Sequence, residues 1–473
     1  MSRHEQQTPG KDPRFDSVRD TWYWKASKPL RVVVHFFIRM RNAYRHYGGL
    51  KGMWKRFLQK KFEGKKRVTF GTASFPSEAE MKNERETKFS KDIKISILVP
   101  LYNTPEKFLR EMIDSVQYQT YGNWELCLAD GSDDKHQDVG QIVAEYMKND
   151  SRIKYQKIEK NLGISGNTNI CFGMATGDYI GLFDHDDILH PSVLFESMKK
   201  ICDEGADYVY CDEATFQSPD INDLIVLHFK PDYSKDNLRA NNYICHFSVF
   251  AKELLQSTEL FRSAYDGSQD HDMILRLTHN AKKICHIPKI LYYWRSHPQS
   301  VAADINAKTY AIDAAKRAVH DHILDTEGIE VQVESTRAFP TIFEIKYPVN
   351  GEPKISIIIP NKDHVKDLRR CVDSVLNEST YKNFEIIIVE NNSEEQSIFD
   401  YYKELEKNEK VKIVTYEGTF NYSKINNFAV QSATGEYLLF LNNDTEVITA
   451  EWMENMLMYA QRDDVAAVGA KLY

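Results

Sequence analysis

The tetrad Asp184-His185-Asp186-Asp187 follows the apolar run IGLF and sets three carboxylates within four residues. Carboxylate oxygen is what a hard divalent cation prefers, and a cation there can neutralise a diphosphate. The same pattern equally describes a solvated turn or a helix start, because paired Asp residues also cap helices. A further acid, Asp270, stands ahead of aliphatic residues in DMILRL that recur at helical spacing, which puts it at a helix mouth, with Asp272 two residues on. A carboxylate there is a general base if it reaches a substrate hydroxyl, and an ordinary N-cap if it does not. His297, in the loop WRSHP, is open to metal ligation or to a surface role.

These residues need a frame that brings chain ends together. ISILVP (95–100) is a continuous apolar run closed by Pro100, as expected for a parallel strand buried on both faces. Thr104 and Pro105 then read as an N-cap and first-turn proline, and Phe108, Leu109, Met112, Ile113 and Val116 recur at helical spacing. WELCLAD (124–130) is a second strand, ending in Asp130. Strand, helix, strand begins a doubly wound sheet, whose ligands sit outside the carboxyl ends of the strands. Those ends deliver Pro100, Tyr102 and Asn103, then Asp130, then Asp184, Asp186 and Asp187.

The chain also repeats itself. KISILVP (94–100) returns as KISIIIP (354–360), and Tyr121, Asn123 and Glu125 return as Tyr381, Asn383 and Glu385, each 260 residues later. ATGDYIGLFDHDD (175–187) returns as ATGEYLLFLNNDT (433–445), at a spacing of 258. Three blocks in one order imply duplicated domains. The expected organisation is a leader, basic segment and linker over 1–92, a first module over 93–330, a linker over 331–353 and a partial second module over 354–473. In the first copy Asp270 lies 84 residues after Asp186, a distance past Asp444 that the sequence does not reach. The second copy is thus expected to hold a nucleotide-binding half, ending in an apolar strand, VAAVGAKLY.

Composition is that of a folded chain, 42% apolar and 27% charged over 473 residues, long enough for two or more domains. Residues 25–70 hold fourteen Lys or Arg against the single acid Glu63, although the whole chain carries a net charge of -8. Aromatic residues interleave with the basic ones over 21–68, so this segment is read as helical and suited to an anionic membrane surface. Packing against the catalytic domain or a partner subunit is the competing reading. A nucleic-acid partner is disfavoured because the rest of the chain is acidic. Seven cysteines without a C-x-x-C pair point to a reducing, cytoplasmic compartment and away from structural zinc. The longest apolar stretch, LRVVVHFFI, is too short and too charged to span a bilayer. A cytoplasmic protein, peripheral at the inner face of the membrane, is expected.

The ordered set PLYN, ADGSDD, NLGISGNTN, ATGDYIGLFDHDD, GSQD and WRSHP resembles the family 2 glycosyltransferases, inverting enzymes of the GT-A fold. The resemblance covers about 95–300 fully and 355–473 in its first half. It implies an α/β fold, a GT-A type doubly wound mixed sheet in duplicate, and a nucleotide-sugar donor, UDP- or dTDP-linked. It further implies that Pro100 and Tyr102 cradle the base with Asp130 bonded to it, that Asn161 and Asn169 belong to the donor site, and that Asp184 faces ribose and sugar. Asp186 would hold Mn or Mg on the diphosphate, His297 would complete the metal shell, and Asp270 would be the catalytic base. Two positions depart from the family pattern: Ala129 precedes Asp130 where two acids are usual, and Thr168 replaces an Arg. The Q-x-x-R-W motif of processive synthases is absent, which favours a non-processive enzyme acting on a glycan or lipid-linked acceptor of bacterial surface polysaccharide.

A second class of function stays open, a nucleotide-sugar-binding or scaffolding protein with a degenerate site. The second copy favours it, since Glu390 replaces Asp130 and Asn442 replaces Asp184, leaving Asp444 at the place of Asp186. The first copy, with its metal acids and base intact, opposes it. A sugar nucleotidyltransferase would need a Gly-rich, Arg-containing signature after strand one, which PLYNTPEKF lacks.

Overall fold

A computed structural model of the chain describes residues 71–297 and 309–471. The basic segment 21–68 lies outside the described residues, and with it the expected helix and membrane contact. None of the described helices is long and apolar enough to cross a membrane. The chain divides into two units, Met1–Ala73 with Thr215–Leu227, and Ser74–Ala214 with His228–Tyr473. The candidate site lies in the second.

The polar stretch 71–92 is more than a linker, because it folds the helix α1 (Glu78–Glu86) behind a capping box in which Ser77 and Glu80 bond reciprocally. The S-x-x-E signature for it was present in the sequence. Next, β1 (Ile95–Leu101), α2 (Glu106–Gln117), β2 (Trp124–Asp130), α3 (Asp138–Met147), β3 (Ile153–Lys157), α4 (Gly163–Met174) and β4 (Tyr179–Leu182) alternate as the apolar runs require. Helix α2 opens at Glu106 with no side-chain cap, and Thr104 is buried instead of capping. After β5 (Ile188–Leu189) and α5 (Val193–Glu204) the chain adds β6 (Tyr208–Gln217), β7 (Leu224–His228), α6 (Lys235–Ala240) and β8 (Ser248–Ala251). Helix α7 (Gln269–Asn280), β9 (Ile284–Ser296) and α8 (Thr309–Glu327) complete the first module.

Among the described residues the sheet order is β3-β2-β1-β4-β8-β6-β9-β5. β1 pairs parallel with β2 and β4, whereas β8 runs antiparallel to β4 and β6, so the sheet is mixed. Its two faces bury separate cores. Ile97, Val99 and Leu101 pack with Leu109 and Met112 of α2 and Leu194 of α5, while Leu98 packs with Phe172 of α4, Met273 of α7 and Val319 of α8. An apolar run buried on both faces leaves its polar chemistry only at strand ends.

The segment 331–353, expected as a linker, carries the hairpin β10 (Gln332–Ser335) and β11 (Phe343–Lys346), whose Phe343 and Ile345 join the core under α8. The second copy follows: β12 (Ile355–Asn361), α9 (Val365–Glu378), β13 (Phe384–Glu390), α10 (Gln396–Leu405), β14 (Val411–Thr415), α11 (Tyr422–Val430), β15 (Tyr437–Phe440) and α12 (Trp452–Ala460). The order β14-β13-β12-β15 repeats β3-β2-β1-β4. Even the register repeats, Ile355 facing Phe384 and Tyr437 as Ile95 faces Trp124 and Tyr179. Leu438 and Phe440 of β15 are 42% and 49% exposed, whereas Ile180, at the place of Leu438, is buried. VAAVGAKLY forms no strand over its described residues.

The repeated blocks have a structural cause. At the strand ends opposite the ligand side, Glu125 accepts hydrogen bonds from Ser96 Oγ (2.7 Å), the Thr176 N–H (2.6 Å) and Thr176 Oγ1 (2.8 Å). Lys94 and Lys154 pair with it at 2.7 and 2.8 Å. In the second copy Glu385 accepts from Ser356 Oγ (2.6 Å) and the Thr434 N–H (2.7 Å) and pairs with Lys354 (3.1 Å). A Cβ at Gly177 would stand 2.6 Å from the Lys94 carbonyl, and one at Gly435 the same distance from that of Lys354, so both positions require glycine. Removing one partner of such a buried cluster costs about 3 kcal/mol, and Glu125→Ala is expected to lower the urea midpoint accordingly. An unchanged midpoint would show the bracket to be dispensable. Burial pushes both carboxyls up, but Lys154 and Lys94 draw Glu125 well below the usual range, and Ser356, Thr434 and Lys354 bring Glu385 down to about 2. Depressed acids stabilise the fold above their unfolded value of about 4.3. This contribution is therefore complete above about pH 4.5 and lost as pH falls toward 2.

Candidate active site

The ends of β1 and β2 are laced together. Asn103 takes a φ of 48°, which Asn tolerates better than most side chains. Its N–H donates to Ser132 Oγ (2.8 Å), and its amide group pairs with Asp133 at 3.2 and 3.1 Å. Pro100 lies half-buried as the penultimate residue of β1 and Tyr102 stays exposed just beyond it. Asp130 is buried, accepting from the Ser132 N–H (2.8 Å), Tyr155 Oη (2.7 Å) and Lys157 Nζ (3.1 Å). Burial alone would raise its pKa, and these bonds hold it below the ordinary value. Its carboxylate therefore organises the 130–133 turn. A Cβ on Gly131 would meet Asn167 Nδ2 at 2.7 Å, so the turn closes tightly on the start of α4. Asn161, exposed, accepts from the Gly163 N–H (3.0 Å) and Asn167 Nδ2 (2.9 Å) and shapes that start.

Asn169, expected at the donor, is instead bonded through both amide atoms to the backbone of Phe261, Nδ2 donating at 2.9 Å and Oδ1 accepting at 3.0 Å. It thereby ties α4 to the chain before α7.

The acids after β4 separate by role. Asp186 Oδ2 lies 2.9 Å from His297 Nε2, a contact across 111 residues. Asp187 is fully buried and accepts from the Tyr292 hydroxyl and, at 2.7 Å, from the Arg295 N–H. Burial and the neighbouring charges of Asp186 and Asp184 push it well above the ordinary carboxylate value, which suits a structural acid. Arg295 is also fully buried: Nε donates to the Asp186 carbonyl, Nη2 pairs with Glu111 at 2.7 Å, and its guanidinium lies 4.3 Å from the centre of the Phe108 ring. Phe108 also packs on the His297 ring at 5.4 Å. One buried arginine thus fixes the backbone that presents Asp186. Asp184 remains 41% exposed, its Oδ2 3.3 Å from His246 Nε2. Burial works to raise it, and the His246 hydrogen bond and charge hold it low.

Asp270 sits in the first turn of α7, half-buried, accepting from Gln269 Nε2 (3.1 Å). Burial and then the charge of Asp184 push its pKa up to about 7, with His246 opposing. Asp272 is excluded as a base, because it is buried and clasped by Arg262 and Arg276, the latter at 2.7 Å. Ser165 of α4 bonds to Asp266, which joins α4 to the loop that precedes α7.

His246, Glu213 and Lys230 belong to this site and were not singled out from the sequence. A signal existed in β6, where YVYCDEATF carries two acids inside a fully buried strand. Buried acids need partners, and these lie elsewhere in the chain. The seven thiols are all free.

In the second copy Glu390 accepts from Ser393 N–H and Oγ (2.6 Å each) and Tyr402 Oη (2.7 Å), so its longer side chain builds the turn that Asp130 builds in the first. Asp444 is exposed.

Among the described residues no group of three or more His, Cys, Asp or Glu side chains is placed to hold a metal ion. Asp186 with His297 offers two ligands. That fits a cation of the Mg type, which takes one or two protein carboxylates and fills its shell with water and substrate phosphate.

The sequence model described as glycosyl transferase family 2 matches residues 96–257 and again 356–473. The uncharacterized protein y4gI of Sinorhizobium fredii is 39% identical over 390 residues, 80% of this chain and 42% of its own length. O-antigen biosynthesis protein RfbC of Myxococcus xanthus is 35% identical over 399 residues, 84% of this chain and 31% of its own. The chain therefore spans less than half the length of either relative. Residues 1–349 of S. aureus TarS align with a TM-score of 0.40 at 20% identity, covering 49% of this chain and 66% of that one. The family model falls once on each copy of the β3-β2-β1-β4 order and covers more than half the chain, and Asp130, Asp184 and Asp186 stand at the strand ends of the first. The fold is of the GT-A type, and the chain belongs to the glycosyltransferases of family 2.

Proposed function

We propose that the first module transfers one sugar from a nucleotide-sugar donor to a glycan hydroxyl by a single inverting displacement. The observation that carries this is the meeting of Asp186 with His297 beside Asp184, with the charge of Asp184 acting on Asp270. Pro100, Tyr102 and the turn built by Asp130 receive the base. Asn161, at the mouth of α4, and Asp184 face the donor. Asp186 and His297 would hold Mn or Mg, which when bound neutralises charge on the diphosphate. Asp270 takes the proton from the acceptor hydroxyl. The acceptor oxygen bonds to the anomeric carbon as the bond from that carbon to the diphosphate breaks, and the nucleoside diphosphate leaves with the electron pair. Attack opposite the leaving group gives inversion. The relative named for O-antigen biosynthesis supports a surface polysaccharide as product, and a lipid-linked glycan is the acceptor this reading expects.

This reading assigns the transfer to the first copy, since Asn442 stands in the second where Asp184 stands in the first. A screen of UDP-, dTDP- and GDP-sugars with Mn, read by melting temperature and by slow release of nucleoside diphosphate without acceptor, tests the reading. A transferase gives both, a scaffold gives binding alone, and a nucleotidyltransferase releases no nucleoside diphosphate but makes pyrophosphate when given nucleoside triphosphate and sugar 1-phosphate. Asp444→Ala is expected to leave release unchanged; its loss there would place the chemistry in the second copy.

A further inference from the structure

The groups behind Asp184 form a closed set. Lys230 Nζ lies 3.0 Å from Glu213 Oε2 and donates to the Ile244 carbonyl at 2.7 Å and to the His246 carbonyl. Glu213 Oε2 is in turn 3.4 Å from His246 Nδ1, and His246 Nε2 is 3.3 Å from Asp184 Oδ2. The imidazole stacks on Tyr292 at 4.9 Å and 10°, and Tyr292 donates to Asp187. Lys230, Glu213 and His246 keep side-chain exposures of 3%, 5% and 12%.

Both ring nitrogens of His246 face carboxylates. A neutral imidazole carries one lone pair and would aim it at one of them, whichever tautomer formed. Only the imidazolium presents an N–H and a positive charge to both, as an ion pair at each end, while Nε2 also lies 3.4 Å from Cys245 Sγ. Stacking on Tyr292 prevents the ring from turning away, and Glu213 cannot withdraw because Lys230 holds it. The direction of the Asp184 carboxylate is therefore set from inside the protein, through a charged line that starts at Lys230.

We infer that His246 is a positioning residue for sugar transfer: anchored by Glu213 and Lys230, it aims the Asp184 carboxylate at the donor sugar. The inference rests on the reading of Asp184 as a donor contact. It predicts that the effect of His246 on donor hydrolysis runs through Asp184.

The test is a double-mutant cycle in the full chain, using the nucleotide sugar from the UDP-, dTDP- and GDP-linked panel whose hydrolysis is fastest, with free nucleoside diphosphate as a binding control. His246→Ala is expected to lower kcat of donor hydrolysis about a hundredfold, as small misplacements of reacting groups do, and to leave nucleoside-diphosphate affinity within about twofold. His246→Gln, which keeps a donor near the Nε2 position, should recover about tenfold and melt close to the wild type. Adding His246→Ala to Asp184→Asn should lower the rate no further than the worse single variant, because contacting residues that act as a unit are not additive. Losses that multiply, or a His246→Ala enzyme of wild-type rate beside an impaired Asp184→Asn enzyme, overturn the inference alone. An Asp184→Asn enzyme of wild-type rate and affinity overturns the reading of Asp184 on which it rests. A wild-type chain that binds and hydrolyses no donor in the panel overturns both.

Discussion

Asp270→Asn is expected to lower sugar transfer a hundredfold or more while donor affinity stays within about twofold. The amide is nearly isosteric and preserves the bond with Gln269, so the variant should fold, but it cannot accept the acceptor's proton. General-base removal typically costs this much. The position of Asp270 in the first turn of α7, under the charge of Asp184, also sets a pH signature. Its pKa is raised to about 7, above the ordinary 3.8, because burial and the Asp184 charge disfavour ionisation. A base works only when ionised, so kcat/KM for transfer should rise with pH through neutrality and level off above it. In Asp270→Asn the residual rate should lose this limb. Near wild-type transfer by a folded Asp270→Asn protein would reject the assignment. Asp272 could not take over, since two arginines hold it inside the fold.

Asp186→Ala is expected to abolish the response to metal and to weaken nucleoside-diphosphate binding by tenfold or more, with nucleoside binding unchanged. Chelator should stop turnover of the wild type, and Mn or Mg should restore it. The difference between nucleoside and diphosphate is diagnostic, because the pair formed by Asp186 and His297 would act only on phosphate. His297→Ala should show a weaker form of the same loss, for the carboxylate remains. Arg295 lies beneath this pair, donating to the Asp186 carbonyl. Full activity in chelator would exclude a metal-dependent reaction.

Much of the fold was legible because parallel strands buried on both faces read as apolar runs. ISILVP and WELCLAD matched β1 and β2 to within a residue. The duplication was legible for a different reason. Among its shared letters are Lys94, Ser96, Glu125, Thr176 and Gly177 with their partners 260 or 258 residues on, and these build a bracket at the end of the sheet away from the chemistry. The repeat therefore identified architecture rather than activity. Less legible were the helix α1, whose capping box sits in a polar stretch, and the hairpin β10 and β11, whose apolar residues are few and find their core only under α8.

By itself the sequence determined the alternation of strands and helices from β1 to β4 and its repeat from β12 to β15, and it placed Asp130, Asp184 and Asp186 at strand ends, whereas the roles of Asp186, His297 and Asp270 came from the resemblance to the family. Contacts between distant segments were beyond it. That Asp187 is a buried strut while Asp186 one residue earlier meets His297, and that Asn169 bonds Phe261, depends on side-chain directions that no local pattern encodes. The line from Lys230 through Glu213 to His246 is of the same kind. Each of its members is an unremarkable polar residue in its own segment, and their charge becomes tolerable, and useful, only where the folded chain takes them out of water together.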